Sequence, residues 1–201
     1  CFALENTWWG RVLPQNYIAE AAALAKQHNL AFHLDGARLY NAAVAQNIHA
    51  REIAKYFDSV SVCFSKGLGA PVGSMLLGSE KLVSKARRWR KVLGGGWRQA
   101  GLLAAMANFA LDNHVKRLAD DHRRASELAH ALSDVSDIEV LGAFTSMVFV
   151  TVPKERLAAL WAHMQKHGIK LSASNSRIRL VMHLDIDDEG LARIIEAFRS
   201  F

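Results

Sequence analysis

Two short apolar runs, LAFHLD at 30–35 and DSVSVCF at 58–64, are separated by a stretch that reads as helix in two pieces over 37–57. An alanine-rich helical stretch, QNYIAEAAALAKQHN at 15–29, precedes them, and a third apolar run, GSMLLG at 73–78, follows. Strands spaced this widely, with helix between them, are joined by crossovers rather than hairpins, which specifies a mostly parallel α/β sheet. Beyond residue 79 the pattern changes. Residues 80–93 and 97–133 read as long helices interrupted by Gly94, Gly95 and Gly96, with Leu82, Ala86, Trp89 and Leu93 as an apolar stripe. Short strands return at 138–141, 147–152 and 177–183. The helices around them are amphipathic: Leu157, Leu160, Trp161 and Met164 recur at i, i+3, i+4 and i+7, as do Leu191, Ile194, Ile195 and Phe198. We therefore expect an α/β domain over 1–114 and a small α+β domain over 115–201, joined through a helix.

A hydrophobic content of 51% with 22% charged residues is that of a globular protein able to bury a sizeable core. No run approaches the roughly 18 apolar residues of a membrane span, so no membrane partner is expected. The two cysteines, Cys1 and Cys63, imply no disulfide framework and point to a reducing, cytoplasmic setting. The chain opens on CFALENTWWG, without a methionine and already inside an apolar run, and reads as a fragment whose front is missing. The net charge of +6 is localised. Segment 80–98 holds Lys81, Lys85, Arg87, Arg88, Arg90, Lys91 and Arg98 against Glu80 alone, and the rest of the chain is balanced. Such a cluster suits an anionic partner, nucleic acid or a small phosphate, or else is a solvated helix face.

Lys66 stands between two apolar runs in SVSVCFSKGLGAPVGSMLLGS. A lysine in such a place is a phosphate ligand, a Schiff-base amine or a solvated turn residue. The dinucleotide fingerprint fails, because the spacing is GxGxxxG with Pro71 inside and a strand directly after. The P-loop fails too, because it needs its lysine after the glycines, and here the lysine comes first. Asp35 closes the run at 30–35, 31 residues before Lys66, about one βαβ unit. Neighbouring parallel strands would bring both to one carboxyl edge, where open α/β sheets bind ligands. Pyridoxal phosphate needs this pair: a lysine for its aldehyde and an acid to keep its ring nitrogen protonated. Arg38, three residues after Asp35, would reach the same place if a helix starts there.

The stretches HLDGARLYNAAVA, SKGLGAPVGSMLLG, RRWRKVLGGGWRQAG and IRLVMHLD together resemble the low-specificity L-threonine aldolases, lyases of PLP fold type I. The likeness is collinear from LENT at 4–7 to near the end of the chain. It implies that 1–114 is the C-terminal portion of a PLP-binding large domain, that 115–201 is the small C-terminal domain, and that about 130 preceding residues are absent. It further implies Lys66 as the Schiff-base lysine, Asp35 as partner of the ring nitrogen, Arg38 near the ring hydroxyl and Ser65 near the cofactor phosphate. Arg179 would take the substrate carboxylate by a bidentate fit. Lys91 and Arg98, flanking the triple glycine, would bind anionic groups in this or a neighbouring subunit's site. The sequence departs from the family at Trp8 and Trp9, where many relatives carry His-Asn.

The expected activity is retro-aldol cleavage of L-threonine, L-allo-threonine and related β-hydroxy-α-amino acids to glycine and an aldehyde, by a homo-oligomer, dimer or tetramer. The alternatives are a β-eliminating lyase or aminotransferase using the same cofactor, a nucleic-acid-binding protein using 81–98, or a fragment inactive by itself. No metal is expected: HMQKH at 163–167 lacks the glutamate of HExxH and a third ligand. His33, on a strand face with Asp35, reads as a core or supporting residue, His183 as a substrate-side or surface residue, and Cys63 as a small buried one. Trp89 and Trp97, beside the triple glycine, suit a subunit contact.

Overall fold

The structure, a computed structural model, describes residues 1–171 and 175–201. The chain divides into two compact units, Cys1–Leu118 and Ala119–Phe201.

The first unit is built on a four-stranded sheet of order β1-β2-β3-β4, with β1 at Phe2–Glu5, β2 at Phe32–Gly36, β3 at Ser59–Cys63 and β4 at Ser74–Gly78. The first three are parallel, in register Leu4↔Leu34 and Asp35↔Ser61. The crossover from β1 to β2 is helix α1 (Gln15–Gln27); α2 (Leu39–Ala45) and α3 (Ala50–Ala54) connect β2 to β3. Helix α1 starts after Pro14 and ends where Asn29 turns left-handed (φ 52°). It buries Ile18, Ala21 and Ala25, and the small alanines let it lie close to the sheet. One sheet face, with Leu34, Val60 and Val62, joins Ile18, Leu39, Ala42 and Ile53 in the core. Gly36 is required where β2 leaves the sheet, because a Cβ there would sit 2.7 Å from the Ser61 carbonyl oxygen. Strand β4 is antiparallel to β3, in register Val60↔Leu77. Its sequence is an apolar run, yet all five of its residues are exposed.

Helix α4 (Glu80–Val92) is capped by the Ser79 hydroxyl, which accepts from the Leu82 N–H at 3.3 Å. Its expected apolar stripe is uncovered, with Trp89 62% and Leu93 81% exposed. The long helix expected over 97–133 is two: α5 (Gly101–His114) and α6 (Leu118–Leu132). No glycine or proline marks the break. It falls where His114 and Arg117 bond to carbonyls of a distant loop, a tertiary cause invisible in local pattern.

The second unit is an antiparallel sheet of order β5-β6-β7: Glu139–Phe144, Met147–Thr151 and Arg177–Val181. A bulge lies between Val140 and Gly142. Helices α6, α7 (Leu157–Lys166) and α8 (Asp188–Arg199) pack Leu128, Leu132, Leu160, Met164, Leu191 and Phe198 onto Val148, Val150, Ile178 and Leu180. Trp161, expected in that stripe, is 39% exposed; it lies one residue, about 100° of helix, beyond Leu160. Among the described residues no helix is long and apolar enough to cross a membrane.

Candidate functional site

Parallel pairing of β1, β2 and β3 sets their carboxyl ends side by side. Asp35 is the penultimate residue of β2, and its side chain lies on the sheet face opposite the Leu34 core. It is exposed. Its Oδ1 accepts the Ala37 N–H at 3.0 Å, and Oδ2 has no partner among the described residues. The same face carries His33, whose Nδ1 is 2.7 Å from the Ser59 hydroxyl, and Ser61. His33 is therefore a half-buried, paired residue beside Asp35. Arg38 stands at the N-cap of α2, half-buried, so the helix start that its reach to the site required is present.

Lys66 lies three residues past β3, in the loop 64–73 that returns the chain as β4. Phe64, Leu68 and Ala70 are buried in the core of the unit. The Ala70 N–H donates to the Phe64 carbonyl at 3.0 Å, the Phe64 N–H to the Gly73 carbonyl at 3.0 Å, and the Gly69 N–H to the Lys66 carbonyl at 2.8 Å. With these apolar side chains inward, Ser65 and Lys66 face outward and are exposed. The Lys66 ammonium makes no hydrogen bond or ion pair among the described residues. Gly69 and Gly73 take positive φ in this loop, and a Cβ at Gly67 would stand 2.9 Å from Leu118 Cδ2 and 3.3 Å from Asn41 Oδ1, so that those side chains would have to shift. The Ser65 hydroxyl lies 3.4 Å from Cys63 Sγ. Cys63 is half-buried rather than buried, being on the sheet's uncovered face.

Lys91 and Arg98 are exposed on either side of the triple glycine. No hydrogen bond or ion pair among the described residues joins them to the Lys66 loop. Arg179, in the second unit, is exposed on β7, in register with Phe149 on the face away from the helices. Its guanidinium has no partner among the described residues. The first unit thus brings Asp35, Arg38, Ser65 and Lys66 to the carboxyl ends of two adjoining strands.

Three further features escaped sequence reading. Asn6 and Thr7, directly after β1, are buried; Asn6 Oδ1 accepts the Leu13 N–H at 3.2 Å and the Asn6 N–H donates to the Asp35 carbonyl at 3.0 Å. They anchor a turn that carries Trp8 and Trp9, both about half exposed, at the same strand ends. An asparagine at a strand end in LENT was the available signal. An apolar cavity of about 380 Å³ lies beside the lysine loop, between Gly69–Pro71 and the Leu102, Met106 and Phe109 face of α5. The third feature is the pair His114 and Arg117, for which the sequence offered no local cue. Among the described residues no three His, Cys, Asp or Glu side chains cluster to hold a metal ion.

The donor set fits pyridoxal phosphate. It comprises an unpaired primary amine, a carboxylate with one free oxygen, a hydroxyl next to the lysine and a guanidinium at a helix start, all beside a loop whose Gly69 and Gly73 take positive φ.

A family model described as beta-eliminating lyase matches residues 1–155. The low specificity L-threonine aldolase of Escherichia coli (strain K12) is 45% identical over 199 residues, which cover 99% of this chain and 59% of that protein. The chain thus spans less than two thirds of the length of that curated relative. Among solved structures, a putative L-allo-threonine aldolase from Listeria monocytogenes EGD-E superposes with a TM-score of 0.79 at 21% identity, covering 94% of this chain and 57% of that one. A structure of SPT with PLP superposes with a TM-score of 0.71 at 17% identity, covering 98% and 53%. At these identities the likeness shows a shared fold, that of PLP fold type I enzymes.

Proposed function

The chain belongs to the beta-eliminating lyase family, and from that premise we propose that it is part of a PLP-dependent carbon–carbon lyase. The reaction is retro-aldol cleavage of L-threonine, L-allo-threonine and related β-hydroxy-α-amino acids to glycine and an aldehyde. The observation that carries this reading is the unpaired Lys66 amine and the free Asp35 oxygen at adjoining strand ends, in a chain 45% identical to a threonine aldolase. When bound, pyridoxal phosphate supplies an electron sink for the pair released as Cα–Cβ breaks.

Each role falls to a residue of this chain. Lys66 Nζ would hold the cofactor aldehyde covalently and, when free, would be a base able to carry a proton. Asp35, through Oδ2, holds a proton on the ring nitrogen, while its Oδ1 stays tied to the Ala37 N–H and fixes the carboxylate. Arg38 takes the ring hydroxyl and Ser65 the phosphate. Arg179 binds the substrate carboxylate. Lys91 and Arg98 take anionic groups in their own or a neighbouring subunit's site. On this reading 1–114 is the C-terminal portion of the cofactor-binding domain and 115–201 the small domain. The exposed Trp89, Val92, Leu93 and Trp97 support a homo-oligomer, dimer or tetramer, that covers them. Two free cysteines are in keeping with a cytoplasmic enzyme.

β-Elimination or aminotransfer with the same cofactor is the second reading, favoured by the description of the matching family. Product analysis decides between them. Threonine should yield glycine and acetaldehyde; keto acid with ammonia would select the second reading. Lys66→Ala should abolish both the visible absorption band formed with pyridoxal phosphate and turnover, a loss of at least about 10³-fold. Retained turnover in Lys66→Ala would remove the anchor role.

A further inference from the structure

Nothing bonded to the Lys66 side chain orients it among the described residues, so its direction comes from its backbone. That backbone is gripped from far away in sequence. His114 Nδ1 lies 2.6 Å from the Leu68 carbonyl oxygen. Arg117 Nη1 donates to the Gly67 carbonyl at 3.4 Å, and Leu118 fills the space a Gly67 side chain would need. All three residues lie at the end of α5 and the start of α6. A carbonyl only accepts, so His114 carries its hydrogen on Nδ1 whether the ring is neutral or charged. Phe109 meets the imidazole edge-on, with centroids 5.5 Å apart at 86°, which fixes the ring plane.

We infer that His114 is a positioning residue for Lys66, acting through the Leu68 carbonyl; the inference rests on Lys66 being the cofactor anchor. The peptide between Leu68 and Gly69 links the two ends of the device. Its carbonyl is held by His114, and its N–H donates to the Lys66 carbonyl at 2.8 Å. Releasing the carbonyl lets this peptide plane rotate, which releases the Lys66 carbonyl as well. Leu68 and Ala70 then lose their hold in the core, and Lys66 loses the turn that leads it outward. The arrangement supplies a rigid backbone mount for a long, flexible side chain whose amine must return to one place in every cycle.

Three variants separate the donor from the bulk of the ring. His114→Asn keeps an N–H donor near the Nδ1 position, His114→Gln places one near Nε2, and His114→Ala has none. Hydrogen exchange at the Gly69 and Ala70 amides, followed on cofactor-free and loaded protein, reads the mount directly. Loss of one such bond corresponds to about tenfold faster exchange at both amides in His114→Ala and His114→Gln. His114→Asn should stay within about threefold of the parent. In the loaded enzyme kcat should fall about tenfold in the same two variants, with little change in KM. Unchanged exchange at Gly69 in His114→Ala, or identical behaviour of the Asn and Gln variants, overturns the inference. If the parent forms no lysine adduct with pyridoxal phosphate, the reading of Lys66 falls instead, and the exchange data still report on the clamp.

Discussion

In the three-stranded sheet the central strand β6 is buried from Met147 to Val150, whereas in the four-stranded sheet β4 is exposed from Ser74 to Gly78. Both strands read as apolar runs, MVFVT and SMLLG. The second unit closes its own core: three helices cover one sheet face, and polar side chains such as Arg177 and Arg179 are left to the other. The first unit covers the Leu34 and Val62 face and leaves the His33, Asp35, Ser61 and Cys63 face accessible. Each sheet thus has a covered core face, and the reactive groups lie on the accessible face of the first. An apolar run states what a strand requires; only the tertiary fold shows whether the requirement is met within these residues.

Substitutions can break this contrast. The largest expected effect is Phe198→Ala, which empties a fully buried position in the second unit and should cost about 3–5 kcal/mol in urea unfolding. Leu76→Ala in β4 should stay within about 0.5 kcal/mol. Similar losses for the two would mean that β4 is covered in solution. A smaller difference is expected at helix caps. Asp187 accepts the Gly190 N–H at 2.8 Å at the start of α8, so Asp187→Ala should cost about 1 kcal/mol. Ser79→Ala, which removes the longer cap bond of the uncovered helix α4, should cost less, by the same measurement.

The smallest expected effect is on pH dependence. Burial pushes the His122 imidazole below its ordinary range, so the unfolded chain takes up that proton first. Its contribution to stability is complete above about pH 6.5 and is lost as the pH falls toward the folded value. Asp188 is held below the usual carboxylate range by its hydrogen bonds from Arg123 and Arg124, so its contribution is lost only in more acidic solution. The thermal midpoint of the second unit should decline first below about pH 6.5, and His122→Gln should flatten that first step.

Much of the first unit was legible because its signals are local. The short apolar runs LAFHLD and DSVSVCF marked strands, the alanines of 15–29 marked α1, and the offset between Asp35 and Lys66 matched one crossover. The outward aim of Lys66 depends on Leu68 and Ala70 turning inward, which the spacing of GLGAP does not reveal. The break between α5 and α6 was illegible for the same reason: Val115–Lys116–Arg117 is ordinary helical sequence, and its interruption is owed to bonds with Gly67 and Leu68, some 50 residues earlier. Trp161 was misread because a one-residue step around α7 is too fine for a periodicity count. Arg179 lies in a run read as a strand, but its role was implied by the family resemblance and not by any local pattern.

The exposed rim of β4 has a practical consequence for anyone handling the polypeptide. Its outer backbone N–H and C=O groups, flanked by Met75, Leu76 and Leu77, are a template on which like chains can stack and precipitate. Expressed by itself, this stretch should drive the chain into inclusion bodies, and a gatekeeper such as Leu77→Lys should raise the soluble yield.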